Sequence, residues 1–425
     1  MGAKGATMHT SIYPSRFLAL SLFIVFPLYL AIRGSSSLSD VAVVLSSLSS
    51  RAEALHIALT SPIAATPAPT NQTFESSGEP AGSKGWKKHR HSSLPNGLAH
   101  AITSFEQYPL VAERVLHRKH TRYSKQTSAQ KAISNKLGYP THFEKARQGI
   151  DANARFTEQI AQIARAHYHT GPRALADDED AEFGLVDLAF GHLSRDWSPQ
   201  GVKERQAVFP PVLAGLEEHF GEHGNGKKVL VPGSGMGRLA SDIADLGYNV
   251  TANELDYGSI LAYHLLTNHT TSLHQYTLHP FVTKWTHQAN PSSRYSAVTV
   301  PDHWPNKTVK LVEGDFLDMF PKDGQFDAVV TLFFIDISNN VIDFLSNIHR
   351  LLKPGGVWVN LGPLKWGTHT ALQLSVEEVL QLADLLGFDV DHTSRKSVDS
   401  LYADQPDTLL KFTYVTQFWT ATKRV

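Results

Sequence analysis

The hydrophobic pattern changes character along the chain. Residues 101–122 and 142–169 carry apolar positions three and four apart among frequent charges, which predicts amphipathic helices. Pro140 and the pair Gly171 and Pro172 break that pattern. From Lys228 the apolar positions gather into short runs separated by helical stretches. Val229, Leu230 and Val231 lead into a glycine cluster, and Leu239, Ile243 and Leu246 follow at helical spacing. A second run over residues 249–252 ends in the acid Glu254. Residues 309–312 predict a third strand, and residues 328–335 are almost continuously apolar, as a central strand buried on both faces requires. Residues 339–352 predict a helix ended by Lys353, Pro354, Gly355 and Gly356, with a further strand over 357–361. Ser375 begins another helix as its N-cap, with Glu378 at the capping-box position, and residues 411–423 predict a late antiparallel strand. Strand, glycine turn, helix, strand and acid form a βαβ unit, so the fold class is α/β, with a Rossmann-like, mainly parallel sheet. Residues 206–425 hold that sheet. Residues 100–205 form an N-terminal helical subdomain that packs against it and covers its ligand.

The first hundred residues read differently. Residues 17–32 are apolar apart from Ser21 and lie between Arg16 and Arg33. They are short of the roughly 20 residues a spanning helix needs and overlap the length of a signal-peptide core. No small-residue cleavage site follows, so residues 1–33 are expected to carry a single membrane anchor, with the rest of the chain facing the cytosol. A cleaved signal directing the chain to the secretory pathway and a cytoplasmic end are the alternatives. Residues 34–99 contain a stretch rich in Pro, Ser, Gly and Thr and a basic knot at Lys87, Lys88, His89, Arg90 and His91. That composition predicts a mostly disordered linker.

Composition narrows the chemistry. The 425 residues have a formal net charge of −1, which gives no support for a nucleic-acid partner. There is no cysteine, so disulfides, thiolate catalysis and Cys-ligated zinc are excluded. His219 and His223 have the spacing of a helical metal pair, but Gly221 and Gly224 weaken that helix, and no metal is expected.

The glycine turn holds Gly233, Gly235 and Gly237 in a G-x-G-x-G pattern. Small residues there let the backbone approach a ligand, and the helix that follows offers free N–H groups. The spacing differs from the G-x-G-x-x-G of dinucleotide sites and leans towards S-adenosylmethionine. Glu254 stands at a second strand's end, where a carboxylate can accept from both ribose hydroxyls. Asp315 and Phe316 follow the third strand, suited to an adenine amino group and ring, although an Asp there can equally cap a plain turn. Asp336 closes the long apolar strand at the end where ligands bind in open α/β sheets. Upstream, residues 192–205 read HLSRDWSPQGVKER, either a capped loop leading into a helix or a means of bringing Arg195 to a cofactor carboxylate.

Assembled, these segments resemble the carnosine N-methyltransferase family. The resemblance rests on RDWSPQGVKER, VLVPGSGMGRLASDIADLGYNVTANE, GDF, FFIDISNNVIDF, LLKPGGVWVNLGPL and LSVEEV, and runs from about residue 100 to the C-terminus. It implies a seven-stranded methyltransferase sheet, S-adenosyl-L-methionine as cofactor, and methylation of the imidazole of carnosine to give anserine. It further implies that His192, Arg195, Gly233, Gly235, Glu254, Asp315 and Phe316 bind the cofactor. Asp336 and His369 become the catalytic and substrate-binding residues, joined by Tyr402 and Tyr414. The chain departs from the family at His192, where the family has Gln, and after Leu364, where His369 supplies an imidazole from a shifted position. Phe412 falls where the family has a substrate tyrosine, with Tyr402 and Tyr414 as nearby substitutes. Methylation of a protein histidine and a membrane-tethered cofactor-binding module with little turnover are the alternative functions. The expected partners are a small histidine-containing substrate and the membrane, and a homodimer stays open.

Overall fold

The computed structural model describes residues 97–171, 182–405 and 407–425. The anchor expected over residues 17–32 and nearly all of the expected linker lie outside these. Helices come first: α1 (Leu98–Ser124), α2 (Ser128–Lys136), α3 (Thr141–His167), α4 (Phe183–Trp197) and α5 (Val202–Phe220). The sheet region follows as β1 (Lys228–Pro232), α6 (Arg238–Asp245), β2 (Asn249–Glu254), α7 (Tyr257–His269), β3 (Tyr276–Leu278), β4 (Val298–Val300), β5 (Lys310–Glu313), β6 (Phe326–Leu332), α8 (Val341–Leu351), β7 (Leu352–Gly362), α9 (Val376–Leu385), β8 (Phe388–Leu401) and β9 (Thr413–Lys423).

Seven strands form one sheet in the order β5-β2-β1-β6-β7-β9-β8. β5, β2, β1, β6 and β7 run parallel, and β9 is antiparallel to both β7 and β8. From β1 the chain steps outward to β2 and β5, then returns to place β6 on β1's other side. That reversal opens a crevice at the carboxyl ends of β1 and β6, where ligands bind in this class of sheet. The expected mainly parallel seven-stranded sheet is therefore what the chain builds.

Three apolar clusters hold it together. One joins α1, α3 and α4 to α7 and the β3–β4 hairpin, with Phe105, Ile160, Phe190 and Leu265 fully buried. A second fills one sheet face beneath α5 and α6, and a third fills the other beneath α8 and α9, around Trp358 and Trp419. Leu239 and Ile243 of α6 are buried at the spacing read from the sequence. Ser375 accepts from the Glu378 N–H as the capping box requires.

Some segments differ from expectation. Residues 192–197 belong to the last turns of α4 rather than to a loop, and residues 202–205 open α5, so most of the charged motif is helix. Lys353–Gly356 was expected to end a helix, but β7 already begins at Leu352, which pairs with Phe326 before a register shift. β8 is polar along much of its length because it is an edge strand bonded to β9 alone, so it lacks the apolar run of a central strand. The three-residue strands β3 and β4 are too short to show any period. The membrane placement is also corrected. Among the described residues no helix is long and apolar enough to cross a membrane, and the 17–32 stretch is itself short of a span. Neither a transmembrane helix nor a membrane partner is carried further.

One buried polar residue ties the helical region to the hairpin. Asn153 of α3 is fully buried and donates to Tyr108 Oη (2.8 Å) and to the His279 carbonyl (3.0 Å), while its Oδ1 accepts the His279 N–H at 2.7 Å. Removing it strands both backbone groups away from water. Asn153→Ala should cost about 3 kcal/mol in urea unfolding, and a loss below about 0.5 kcal/mol would show that the tie is idle.

Candidate active site

The glycine turn lies between β1 and α6. Gly233 (φ 61°) and Gly237 (φ 74°) occupy the left-handed region, and a Cβ would lie 2.3 Å from the Phe334 ring at the first and 2.4 Å from the Tyr263 ring at the second. Above Gly235 a Cβ would meet nothing within 4 Å, so the backbone there faces open space. Glu254 closes the turn from β2. Its Oε2 accepts from the Gly235 N–H at 2.7 Å, and Oε1 accepts from the Leu255 and Asp256 N–H groups, each at 2.8 Å. Burial pushes its carboxyl above the usual range despite those bonds.

The charged motif is a brace around Arg195. Asp196 accepts from Arg195 Nε at 2.7 Å and Nη2 at 3.0 Å, leaving the Nη1 edge of the guanidinium. Gly201 passes so close that a Cβ would sit 1.8 Å from the Arg195 carbonyl oxygen. Arg205 donates to the carbonyls of Arg195 and Ser198 and pairs with Asp302, which also receives Arg238 Nη1 at 2.7 Å. Arg238 lies over the Trp197 ring, and Trp197 Nε1 donates to the Met236 carbonyl inside the glycine turn. Glu204 accepts from the N–H groups of Ala403 and Asp404, fixing the loop that carries Tyr402.

Three clefts meet at the carboxyl ends of β1 and β6. The first is bounded by Arg195, Gly233, Gly235, Phe333 and Tyr402. The second, on the other side of Gly233, is lined by Glu254, Asp315 and Phe316. The third, about 430 Å³, brings together Asp336, His369, Tyr402 and Tyr414, and its size suits a small molecule. Phe333 and Tyr402 are shared by the first and third clefts, Ile337 and Asn339 by the second and third. Of the residues expected to bind cofactor or substrate, His192 lines none of the three, and neither do Gly237 of the turn or Phe412. His192 lies one turn before Arg195 in α4. Burial, then the Arg195 charge, push its pKa down to about 4, and its buried Nδ1 has no hydrogen-bond partner among the described residues.

In the second cleft Asp315 Oδ1 accepts from the Leu317 N–H, so the turn-capping reading holds for that oxygen. Phe316 is buried edge-on against Phe334 and Phe344. In the third, Asp336 sits in a single 3₁₀ turn just past β6, and its Oδ2 accepts from the Lys365 N–H at 2.9 Å. Burial raises its carboxyl above the ordinary value. His369 is exposed on a loop tethered by Thr370 to the Ser338 carbonyl and by Ala371 to the Asn339 carbonyl. Phe333, at φ 52° without being glycine, carries its ring to Tyr402 and Tyr414, with centroids 5.7 and 6.0 Å away.

Asp196, Glu204, Arg205, Arg238, Asp302 and Phe333 were not singled out from the sequence. Five of them stand in motifs already quoted, and Asp196, Glu204 and Arg205 could have been found as charges too dense for a plain loop. Asp302 has no local signal. Asp196 provides a test of the brace. The charge of Arg195 holds its carboxyl below the ordinary value although burial opposes this. A depressed folded pKa adds stability that is full above the unfolded pKa of about 3.9 and fades as pH falls through the folded value. Asp196→Asn should therefore be about 3 kcal/mol less stable at pH 7, and the gap in urea midpoint should narrow below pH about 4. A gap independent of pH would mean that the pair is not ionic.

Residues 173–425 match the family described as carnosine N-methyltransferase. Among similar proteins, "Carnosine N-methyltransferase unmet" of Drosophila melanogaster is 31% identical over 262 residues, covering 58% of this chain and 57% of the relative. The carnosine N-methyltransferase of Mus musculus is 28% identical over 297 residues, covering 65% and 74%. That of Schizosaccharomyces pombe is 26% identical over 359 residues, covering 76% and 94%. The chain thus spans little more than half the length of the Drosophila relative. With the family matched over more than half of its residues, and with a Rossmann-like methyltransferase sheet beneath the site, the chain belongs to the carnosine N-methyltransferase family.

Proposed function

We propose that the chain is an S-adenosylmethionine-dependent N-methyltransferase acting on an imidazole nitrogen of carnosine, giving anserine, or of a related histidine-containing compound. The observation that carries this reading is the joining of two clefts through Phe333 and Tyr402, one floored by the glycine turn and the other holding Asp336.

The residues of the first two clefts suit the cofactor. The Nη1 edge of Arg195 is available for a carboxylate, and the open space above Gly235 admits a ligand against the backbone. His192, which lines neither cleft, would act only through α4, the helix that carries Arg195. Asp315 keeps Oδ2 for an adenine amino group, with Phe316 beside the ring. Glu254 commits three acceptor positions to backbone amides, so it shapes the turn first and offers a ribose hydroxyl what remains. When bound, S-adenosylmethionine supplies an electrophilic methyl group.

The acceptor imidazole is largely neutral at pH 7, with an unperturbed pKa of about 6.5. Asp336 Oδ1, left free by the Lys365 bond to Oδ2, would accept the distal N–H. That bond fixes the tautomer whose other nitrogen presents its lone pair, and it stabilises the imidazolium as positive charge develops. Tyr402 and Tyr414 would wall the ring, and His369 would bind the polar remainder of the substrate. Positioning supplies most of the rate, because displacement at a methyl carbon needs alignment more than acid or base.

Asp336→Asn should lower turnover about 10²–10³-fold while S-adenosylmethionine affinity, read by calorimetry, stays near wild type. Parallel loss of both would remove Asp336 from the acceptor side. The full chain incubated with labelled S-adenosylmethionine and carnosine, free histidine or a protein extract should label carnosine. Label only in protein would favour the protein-histidine reading, and cofactor binding without transfer would favour a binding module.

A further inference from the structure

A second cluster of ligating groups lies outside the three clefts, where the helical region meets the edge of the sheet. Glu313 is the last residue of β5, His264 lies in the middle of α7, and His167 ends α3. His264 Nε2 is 2.9 Å from Glu313 Oε1, and the Tyr168 hydroxyl donates to the same carboxylate at 2.8 and 2.9 Å. The His167 ring packs on His264 with centroids 4.5 Å apart and has no hydrogen-bond partner among the described residues. One ligand atom from each of His167, His264 and Glu313 lies within 4.8 Å of the others.

We propose that His167, His264 and Glu313 form a binding site for a divalent transition metal of the zinc class. Two imidazoles and one carboxylate are a common three-ligand set for zinc, with bonds of about 2.0–2.2 Å and a fourth position for water. Tetrahedral ligands at those lengths stand roughly 3.3 Å apart. The His264–Glu313 spacing therefore needs to open by a few tenths of an ångström, and the exposed His167 needs only a side-chain adjustment to complete the set. To ligate, His264 must carry its proton on Nδ1 and turn the Nε2 lone pair to the metal. Tyr168, whose hydroxyl also lies 3.4 Å from His264 Nε2, keeps its bond to the carboxylate and orients it, as second-shell donors do at metal sites. Both histidines must be neutral to ligate.

The three ligands come from three elements already joined by the bonds of His264 and Tyr168 to Glu313, and a bound ion would clamp α3 and α7 to β5 more firmly. Asp315 of the second cleft is two residues beyond Glu313 on the same backbone. The clamp would thus steady one wall of that cleft without touching the acceptor side, and its test does not depend on methyl transfer.

Tag-free full chain, stripped with a chelator and titrated with zinc chloride, should bind close to one equivalent by calorimetry and gain thermal stability. Cobalt chloride should give the visible absorption of a low-symmetry four-coordinate site. His167→Ala removes the ligand that holds no hydrogen bond, so the metal-free variant should unfold at the wild-type temperature while zinc affinity falls at least about 100-fold. Saturable binding well away from one equivalent, or zinc binding unchanged in His167→Ala, overturns the site and leaves only a hydrogen-bonded cluster with scattered surface histidines.

Discussion

The site depends on a single carboxylate that serves two arginines. Asp302, in the loop after β4, binds Arg205 from α5 and Arg238 from the first helix of the sheet, and all three side chains are nearly buried. Two cations brought so close repel each other unless the acid stands between them, and a buried charge left without its partner costs about 3–5 kcal/mol. The helical region and the sheet are thereby held in one relative placement. Arg205 carries that placement to the backbone of Arg195 and Ser198, and Arg238 carries it to the carbonyl of Asp196. Arg195, braced by these charges, lines the same cleft as the glycine turn.

The parts legible in the sequence are those whose physics is local. A left-handed turn demands glycine, and a strand covered on both faces must be apolar throughout, so β1, its turn, β2 and β6 could be read from their residues. The capping box at Ser375 announced α9 in the same way. Segments whose structure is decided by distant partners were not legible. β8 is a strand because β9 lies beside it, and its own alternation of Asp, His, Ser and Lys gives no such signal. The charged motif reads as a loop because its side chains look solvated, yet most of them are spent on one another and on backbone carbonyls. Asp302 became visible only when the chain folded back over α5.

The cleft around Asp336, proposed above for the acceptor, shows the same division. Asp336 could be found because a strand delivers it to a known place in the sheet. His369, Tyr402 and Tyr414 come from a loop and from the ends of β8 and β9, segments with little periodic pattern, and are gathered by tethers such as Glu204 to the 403–404 backbone. The two halves of the crevice therefore have different rigidity. The glycine turn is fixed by backbone geometry, whereas the cleft around His369 is held by a few single hydrogen bonds.

The polar face of β8 has a further effect. A free sheet edge is a template for pairing with another chain. Here the edge carries Asp389, Asp391, Arg395 and Lys396, and it is interrupted by a register shift between Asp391 and Lys396, where Thr393 folds back onto Asp391. A second sheet arriving along β8 would meet charges of both signs on a bent backbone. Self-association by continuing the sheet through this edge is thus disfavoured, and copies of the chain can be crowded without templating one another along that side.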